Sequence, residues 1–144
     1  MSRACAFCGI VSGELSASIV YRDHEVVAFL DLKPVFKGHV LVVPAAHADT
    51  LGDLPSSQIQ PLFSSVQRIA RAIETGLGAG GTFVATNNRI SQSVPHLHVH
   101  VVPRHKGDGL RGFFWPRVSY VDDVERESFR ARIAAALTLP MSLS

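Results

Sequence analysis

The segment His96-Leu97-His98-Val99-His100-Val101-Val102 constrains this chain more than any other. Strand side chains alternate faces, so His96, His98 and His100 share one face while Leu97, Val99 and Val101 share the other. The apolar face demands a core to cover it. The imidazole face repeats about every 7 Å, the rise of two strand residues. Three histidines make a poor core layer, because each brings two ring nitrogens that need partners. The residues alone leave three readings open: an exposed face with incidental histidines, a metal held by two of the three, or chemistry on a phosphate. All three together diverge too far to converge on one ion. Imidazole suits phosphate chemistry, being a nucleophile and a proton donor near neutral pH.

The surrounding pattern reads as α+β. A helical turn is expected from Phe7 to Ser12, stopped by Gly13. Ser18–Arg22 and Glu25–Leu32 form a hairpin split by Asp23-His24, and Gly38–Pro44 is an almost wholly apolar, central strand. The clearest helix runs from about Ser57 to Leu77, with Ile59, Leu62, Phe63, Val66, Ile69, Ala70, Ile73 and Leu77 on one face. Thr82–Thr86 and His96–Val102 are strands, and a last helix fits Asp123–Leu137 with Val124, Phe129, Ile133 and Leu137 inward. The sum is an antiparallel sheet of about five strands with one long helix and a C-terminal helix.

At 144 residues and 47% hydrophobic, the chain fits a single domain, 1–144, with a real core. A net charge of +2 gives no basic field, so nucleic acid is an unlikely partner by charge. No apolar run approaches the roughly 18 residues of a membrane span. The N-terminal residues lack the apolar stretch of a signal peptide, and two cysteines make no disulfide scaffold. The expected setting is the cytoplasm.

His-Leu-His-Val-His-Val-Val resembles the signature of the histidine triad (HIT) superfamily of nucleotide hydrolases and transferases. Phe29-Leu-Asp31-Leu-Lys-Pro34, Gly38-His39-Val-Leu-Val-Val-Pro44, His47, Asn87-Asn88, Gln92-Ser93-Val94 and Pro103-Arg104 extend the resemblance in order and spacing. It covers about 5–104, with 105–144 as a C-terminal extension. The resemblance implies a histidine triad fold that pairs two copies into a homodimer with a continuous sheet. It implies that His98 attacks the α-phosphorus and forms a nucleotidyl-imidazole, while His100 and His39 hold the phosphate oxygens beside a protonated neighbour. Ser93 or Gln92 would stand near the leaving group, and Asp31 would accept bonds from the ribose hydroxyls. Phe7, Ile10, Ile19, Phe29 and Leu32 would form the slot for the base. Many members place an asparagine eleven residues before the first triad histidine. Here Asn88 lies eight before His96, in a shorter loop reading Arg89-Ile90-Ser91, which leaves Asn87 and Asn88 both open for the phosphate, with Asn88 preferred. The implied reaction is hydrolysis of a nucleoside phosphoramidate or related adenylate derivative. The alternatives are a dinucleoside polyphosphate hydrolase and a nucleotide-binding protein with little turnover.

Cys5-x-x-Cys8 by itself is a redox pair, half a metal site or two unrelated thiols. A tetrahedral zinc needs two further ligands. A bacterial subset of the family, resembling the Hint branch, shares this pair. There the set is completed by a histidine after the Gly-His strand and by the first triad histidine, which implies a structural zinc on Cys5, Cys8, His47 and His96. In one branch a Trp-Pro near the C-terminus crosses the dimer to line the partner's nucleotide site, and Trp115-Pro116 is similar, though a tail helix follows it here; the equal alternative is that Phe113, Phe114 and Trp115 pack under that helix. Arg104, Lys106, Arg111 and Arg117 are candidates for steering polyphosphates. His24 and His105 are expected in solvent.

Overall fold

The computed structural model describes residues 5–110 and 117–137. These fall into two compact units, divided after Asp108.

The first unit is an antiparallel sheet of five strands with helices. In chain order its elements are α1 (Ala6–Ser12), β1 (Ile19–Arg22), β2 (Val26–Leu30), β3 (Val40–Pro44), α2 (Ile59–Leu77), β4 (Gly81–Ala85) and β5 (Val99–Arg104). Strand order is β1-β2-β3-β5-β4, and every neighbouring pair is antiparallel. The β1–β2 turn is set by Asp23, whose carboxylate accepts from the backbone N–H groups of Glu25 and Val26 at 2.7 and 2.8 Å.

The two faces of the sheet have separate cores. Val26, Ala28, Val40, Val42, Val99 and Val101 meet Leu62, Val66, Ile69 and Ile73 of α2. On the opposite face Val27, Phe29, Leu41 and Val43 meet Phe7 of α1. Strands β2 and β3 are covered on both sides, which is why they read as continuous apolar runs. Of the apolar residues expected inward on α2, Ile59 and Leu77 are exposed. They lie in the helix's first and last turns, at the margin of the buried stripe. Gly38 precedes β3 with φ +99°, and a Cβ there would sit 2.5 Å from Leu77 Cδ1. The left-handed backbone is what favours glycine here; the close neighbour is the tip of an exposed leucine, which can shift.

The second unit contains α3 (Asp123–Leu137). The expectation that Val124, Phe129, Ile133 and Leu137 point inward is corrected: all four are exposed. Among the described residues this short unit has no strand or second helix against which to bury a helix face. No helix of the described residues is long and apolar enough to cross a membrane.

Candidate functional site

Pairing of β5 with β3 and β4 sets His100 opposite Leu41 and Ala85, on the α1 face of the sheet. The regular strand begins at Val99, later than His96, but the preceding residues stay anchored. The Leu97 N–H donates to the Ala48 carbonyl at 2.7 Å, and the Thr86 hydroxyl donates to the His98 carbonyl at 2.8 Å. His96 and His98 are buried. The rings of His98 and His100 lean together, with centroids 5.0 Å apart. That is closer than the spacing of about 7 Å along the backbone.

Hydrogen-bond partners assign the ring protons. His98 Nδ1 lies 2.8 Å from the His96 carbonyl, which only accepts, so Nδ1 carries hydrogen. The neutral ring then presents its Nε2 lone pair. The Val35 N–H donates to His39 Nδ1 at 3.1 Å, which places the His39 proton on Nε2. From there it is donated to His100 Nδ1 at 3.0 Å. His100 is left with Nε2–H pointing onward. Both nitrogens of His39 are therefore occupied, and His39 orients His100. Burial, reinforced by the neighbouring His98 and His39, pushes the His100 pKa down to about 4. Burial likewise lowers His39. With its pKa lowered this far, His100 is a neutral donor before any phosphate arrives.

The Asp31 carboxylate accepts from the Lys33 N–H at 2.9 Å and stands 3.7 Å from His39 Nδ1. Of the apolar slot, Phe7 and Phe29 are buried edge to face at 5.3 Å with Ile10 packed against the same cluster, whereas Ile19 and Leu32 are exposed. The loop before the triad is held by its own polar side chains. The Leu51 N–H donates to Asn88 Oδ1 at 2.9 Å. Gln92 Oε1 accepts from the Arg89 N–H at 2.8 Å, and Gln92 Nε2 donates to the Asp49 carbonyl at 2.6 Å. Arg89 and Ser91 are left-handed, with φ of 71° and 61°. Ser93 is exposed just ahead of the triad. Arg104 is bidentate to Asp108 at 2.6 and 3.2 Å, which takes it out of the steering group. His24 and His105 are exposed, as expected. Trp115 and Arg111 lie outside the described residues.

A second cluster joins α1 to the sheet. The ligand atoms of Cys5, Cys8, His47 and His96 all lie within 4.8 Å of one another. His96 Nε2–H donates to the Pro44 carbonyl at 2.9 Å, and His47 Nε2–H donates to Asp49 at 2.6 Å. In neutral rings both Nδ1 lone pairs then face inward, 3.1 Å apart. Two acceptors at that distance repel, and a proton or a metal cation between them relieves the repulsion. The sulfur–nitrogen separations are 3.4 Å for Cys5–His96, 3.5 Å for Cys8–His96 and 3.3 Å for Cys8–His47. A tetrahedron with Zn–N of about 2.0–2.1 Å and Zn–S of about 2.3 Å has edges of roughly 3.3–3.8 Å. The donor set fits a tetrahedral metal ion. Its outer partners are the kind that orient ligating imidazoles. Asp49 and the Pro44 carbonyl were not foreseen from sequence. The His-x-Asp spacing was a usable signal for the first; a backbone carbonyl leaves none.

The comparisons with known proteins agree with this geometry. Residues 12–107 match the HIT domain. The chain belongs to the histidine triad family. It is 37% identical to protein hit of Bacillus subtilis over 129 residues, which are 88% of this chain and 87% of that one. It is 33% identical to adenylylsulfatase HINT3 of Arabidopsis thaliana over 108 residues, covering 74% of this chain and 55% of that protein. With the bis(5'-nucleosyl)-tetraphosphatase of Schizosaccharomyces pombe it shares 36% identity over 96 residues, 65% of this chain and 53% of that one. A HIT-family crystal structure from Bacillus subtilis superposes with a TM-score of 0.82 at 34% identity, covering 97% of this chain and all of that one. A Zn-bound histidine triad protein from Mycobacterium smegmatis gives 0.71 at 36% identity, over 92% of this HIT chain and 97% of the other.

Proposed function

We propose that this HIT protein hydrolyses nucleoside phosphoramidates or related adenylate derivatives at the α-phosphorus. The observation that carries the reading is the His98 tautomer: Nδ1–H is fixed on the His96 carbonyl, so the nucleophilic Nε2 is the free end. His98 Nε2 attacks phosphorus, the bond to the leaving amine breaks, and a nucleotidyl-His98 forms. The departing amine takes a proton from solvent through the exposed Ser93 hydroxyl, and the water that attacks in the second step returns one proton to solvent. Water then attacks the same phosphorus, and cleavage of the P–N bond returns free His98 and a nucleoside monophosphate. His100 Nε2–H stabilises the phosphoryl oxygens, and His39 holds His100 in the donating tautomer. Asp31 takes the ribose hydroxyls, and the apolar cluster around Phe29 takes the base. The names of the tetraphosphatase and adenylylsulfatase relatives support a nucleotide substrate but carry different leaving groups. A product assay with adenosine phosphoramidate, diadenosine polyphosphates and adenylylated lysine, run side by side, tests the assignment. Preference for the polyphosphates would overturn the phosphoramidate reading.

We infer that the ion of the Cys2His2 cluster is a structural zinc, since four protein ligands leave no open position. Two free cysteines held as thiolate ligands suit a reducing cytoplasm. We further infer a homodimer formed along β4. The other sheet edge, β1, is a four-residue strand with an irregular register, whereas β4 is a regular edge with Val84 exposed. Light scattering should give twice the chain mass, and Val84→Lys should shift it toward the monomer. A wild-type monomer would overturn this assembly.

A further inference from the structure

We propose that Phe7 is a positioning residue for the His98 nucleophile, held in place by the metal-binding turn on which it sits. The inference rests on the reading of His98 as nucleophile and goes beyond it.

Phe7 lies between Cys5 and Cys8 in sequence, so any ion on those sulfurs fixes the turn that carries its ring. The ring is buried and meets three others edge to face: His98 at 5.1 Å and 85°, Phe29 at 5.3 Å and 66°, and His96 at 6.0 Å and 72°. Among the described residues the His98 ring makes one hydrogen bond, from Nδ1 to the His96 carbonyl. A single bond fixes one point and leaves the ring free to tilt about it. The tilt is restricted by Phe7 and His100, both packed edge to face with the ring at 5.1 and 5.0 Å. In-line attack requires the free nitrogen within about 3–3.5 Å of phosphorus, where a 1 Å error costs about a hundredfold.

What holds Phe7 is equally specific. Helix α1 has only seven residues, too few to be stable alone. Its N-cap is the Cys5 sulfur, which accepts from the Cys8 N–H at 3.4 Å. Its far end is tied by the Arg22 guanidinium, which donates to the Val11 and Ile10 carbonyls at 2.8 and 3.2 Å. Losing the ion therefore frees the first turn, the part bearing Phe7, while the last turn stays anchored. His96, whose carbonyl also holds His98, stays anchored by its own Nε2–H on the Pro44 carbonyl at 2.9 Å, so the link that loosens between the cluster and the nucleophile is the Phe7 ring.

The rival role for Phe7 is a wall of the base slot alone, and two substrates separate the roles. Phe7→Leu should lower kcat about tenfold on both adenosine phosphoramidate and ribose 5'-phosphoramidate, which has no base, with KM changed less than about threefold. Its metal content should remain that of wild type. A raised KM confined to the adenosine substrate, with base-free turnover intact, would overturn the proposal. Stripping metal from the wild type should reproduce the kcat loss and raise amide hydrogen exchange at residues 6–8. Stripping Phe7→Leu should add little further loss; two independent, multiplying losses would overturn the coupling. Phe7→Met serves the same tests if the leucine variant folds poorly. Failure of the nucleophile reading itself is seen separately, as turnover surviving in His98→Ala.

Discussion

The Gln92 side-chain amide donates to the Asp49 carbonyl at 2.6 Å, while the Asp49 carboxylate accepts from His47. One residue thus links the loop before the triad to His47 of the Cys2His2 cluster. Arg89 and Ser91 adopt left-handed φ values, which cost non-glycine residues roughly 1–2 kcal/mol each. The Gln92 and Asn88 bonds offset that strain.

Gln92→Leu removes both bonds of the amide and should let the loop relax. Stability should fall by about 1–2 kcal/mol, since each bond contributes modestly in this exposed setting. Turnover should fall further than stability, because Ser93 moves with the loop, while metal content stays unchanged. Steady-state kinetics beside metal analysis checks this. An unchanged kcat would show that the loop's position does not matter to the leaving group.

Metal removal is the second expectation. Burial, together with the adjacent Cys5, raises the Cys8 thiol pKa, so a divalent ion is needed to hold it as thiolate. Purified protein should carry about one zinc per chain for one tetrahedral site. Cys8→Ser should lose the ion, melt at lower temperature and turn over more slowly. Metal-free protein of unchanged melting temperature would refute the structural role.

The pH dependence of stability follows from His100. Its pKa falls from about 6.5 in the unfolded chain to about 4 in the fold, so the unfolded state takes up the proton first on acidification. The contribution of His100 is complete above about pH 6.5 and is lost progressively down to about pH 4. His39 and His96 are lowered in the same direction by burial. Melting temperature should therefore drop through this window, and His100→Asn should make the slope shallower. An identical slope in the variant would assign the acid sensitivity elsewhere.

Much of this architecture was legible in the sequence, for reasons that also mark where reading stops. Strands β2 and β3 and helix α2 announce themselves because apolar side chains must be covered, and the period of those side chains states how. That Cys5, Cys8, His47 and His96 come together was legible once the family resemblance supplied the two histidines as partners for the cysteines. The hydrogen bonds that hold the His39 and Gln92 side chains were not, because their partners are backbone atoms of Val35 and Asp49, whose positions depend on the whole fold. Exposure of the α3 apolar residues was also hidden. Periodicity reports that a helix has an apolar side, but not whether anything lies against it.

Gly38 gives a test of the fold with no chemistry in it. Gly38→Ala would force a side chain into φ +99° and place its Cβ 2.5 Å from the Leu77 side chain. The left-handed cost alone is about 1 kcal/mol, and the contact adds to it unless Leu77, exposed at the end of α2, moves aside. A melting temperature several degrees lower is expected. Because His39 is the next residue, kcat should fall as well. Wild-type stability would mean that the turn adopts another conformation.

The most direct test of the chemistry is His98→Ala. The ring is buried, its Nδ1–H is satisfied by the His96 carbonyl, and its remaining nitrogen is the reactive end. No Asp or Glu occurs between Glu74 and Asp108, so no carboxylate near in sequence can replace it. His100 cannot substitute, because its Nδ1 is occupied by His39 and its Nε2 carries hydrogen. Turnover should fall by at least about 10³-fold, the scale of losing a covalent route. Nucleotide binding should survive, since Asp31 and the apolar cluster remain. Wild-type enzyme mixed with labelled substrate and quenched without acid should carry the nucleotidyl group on His98, and the variant should carry none. A variant keeping more than about a tenth of wild-type turnover would show that water attacks phosphorus directly.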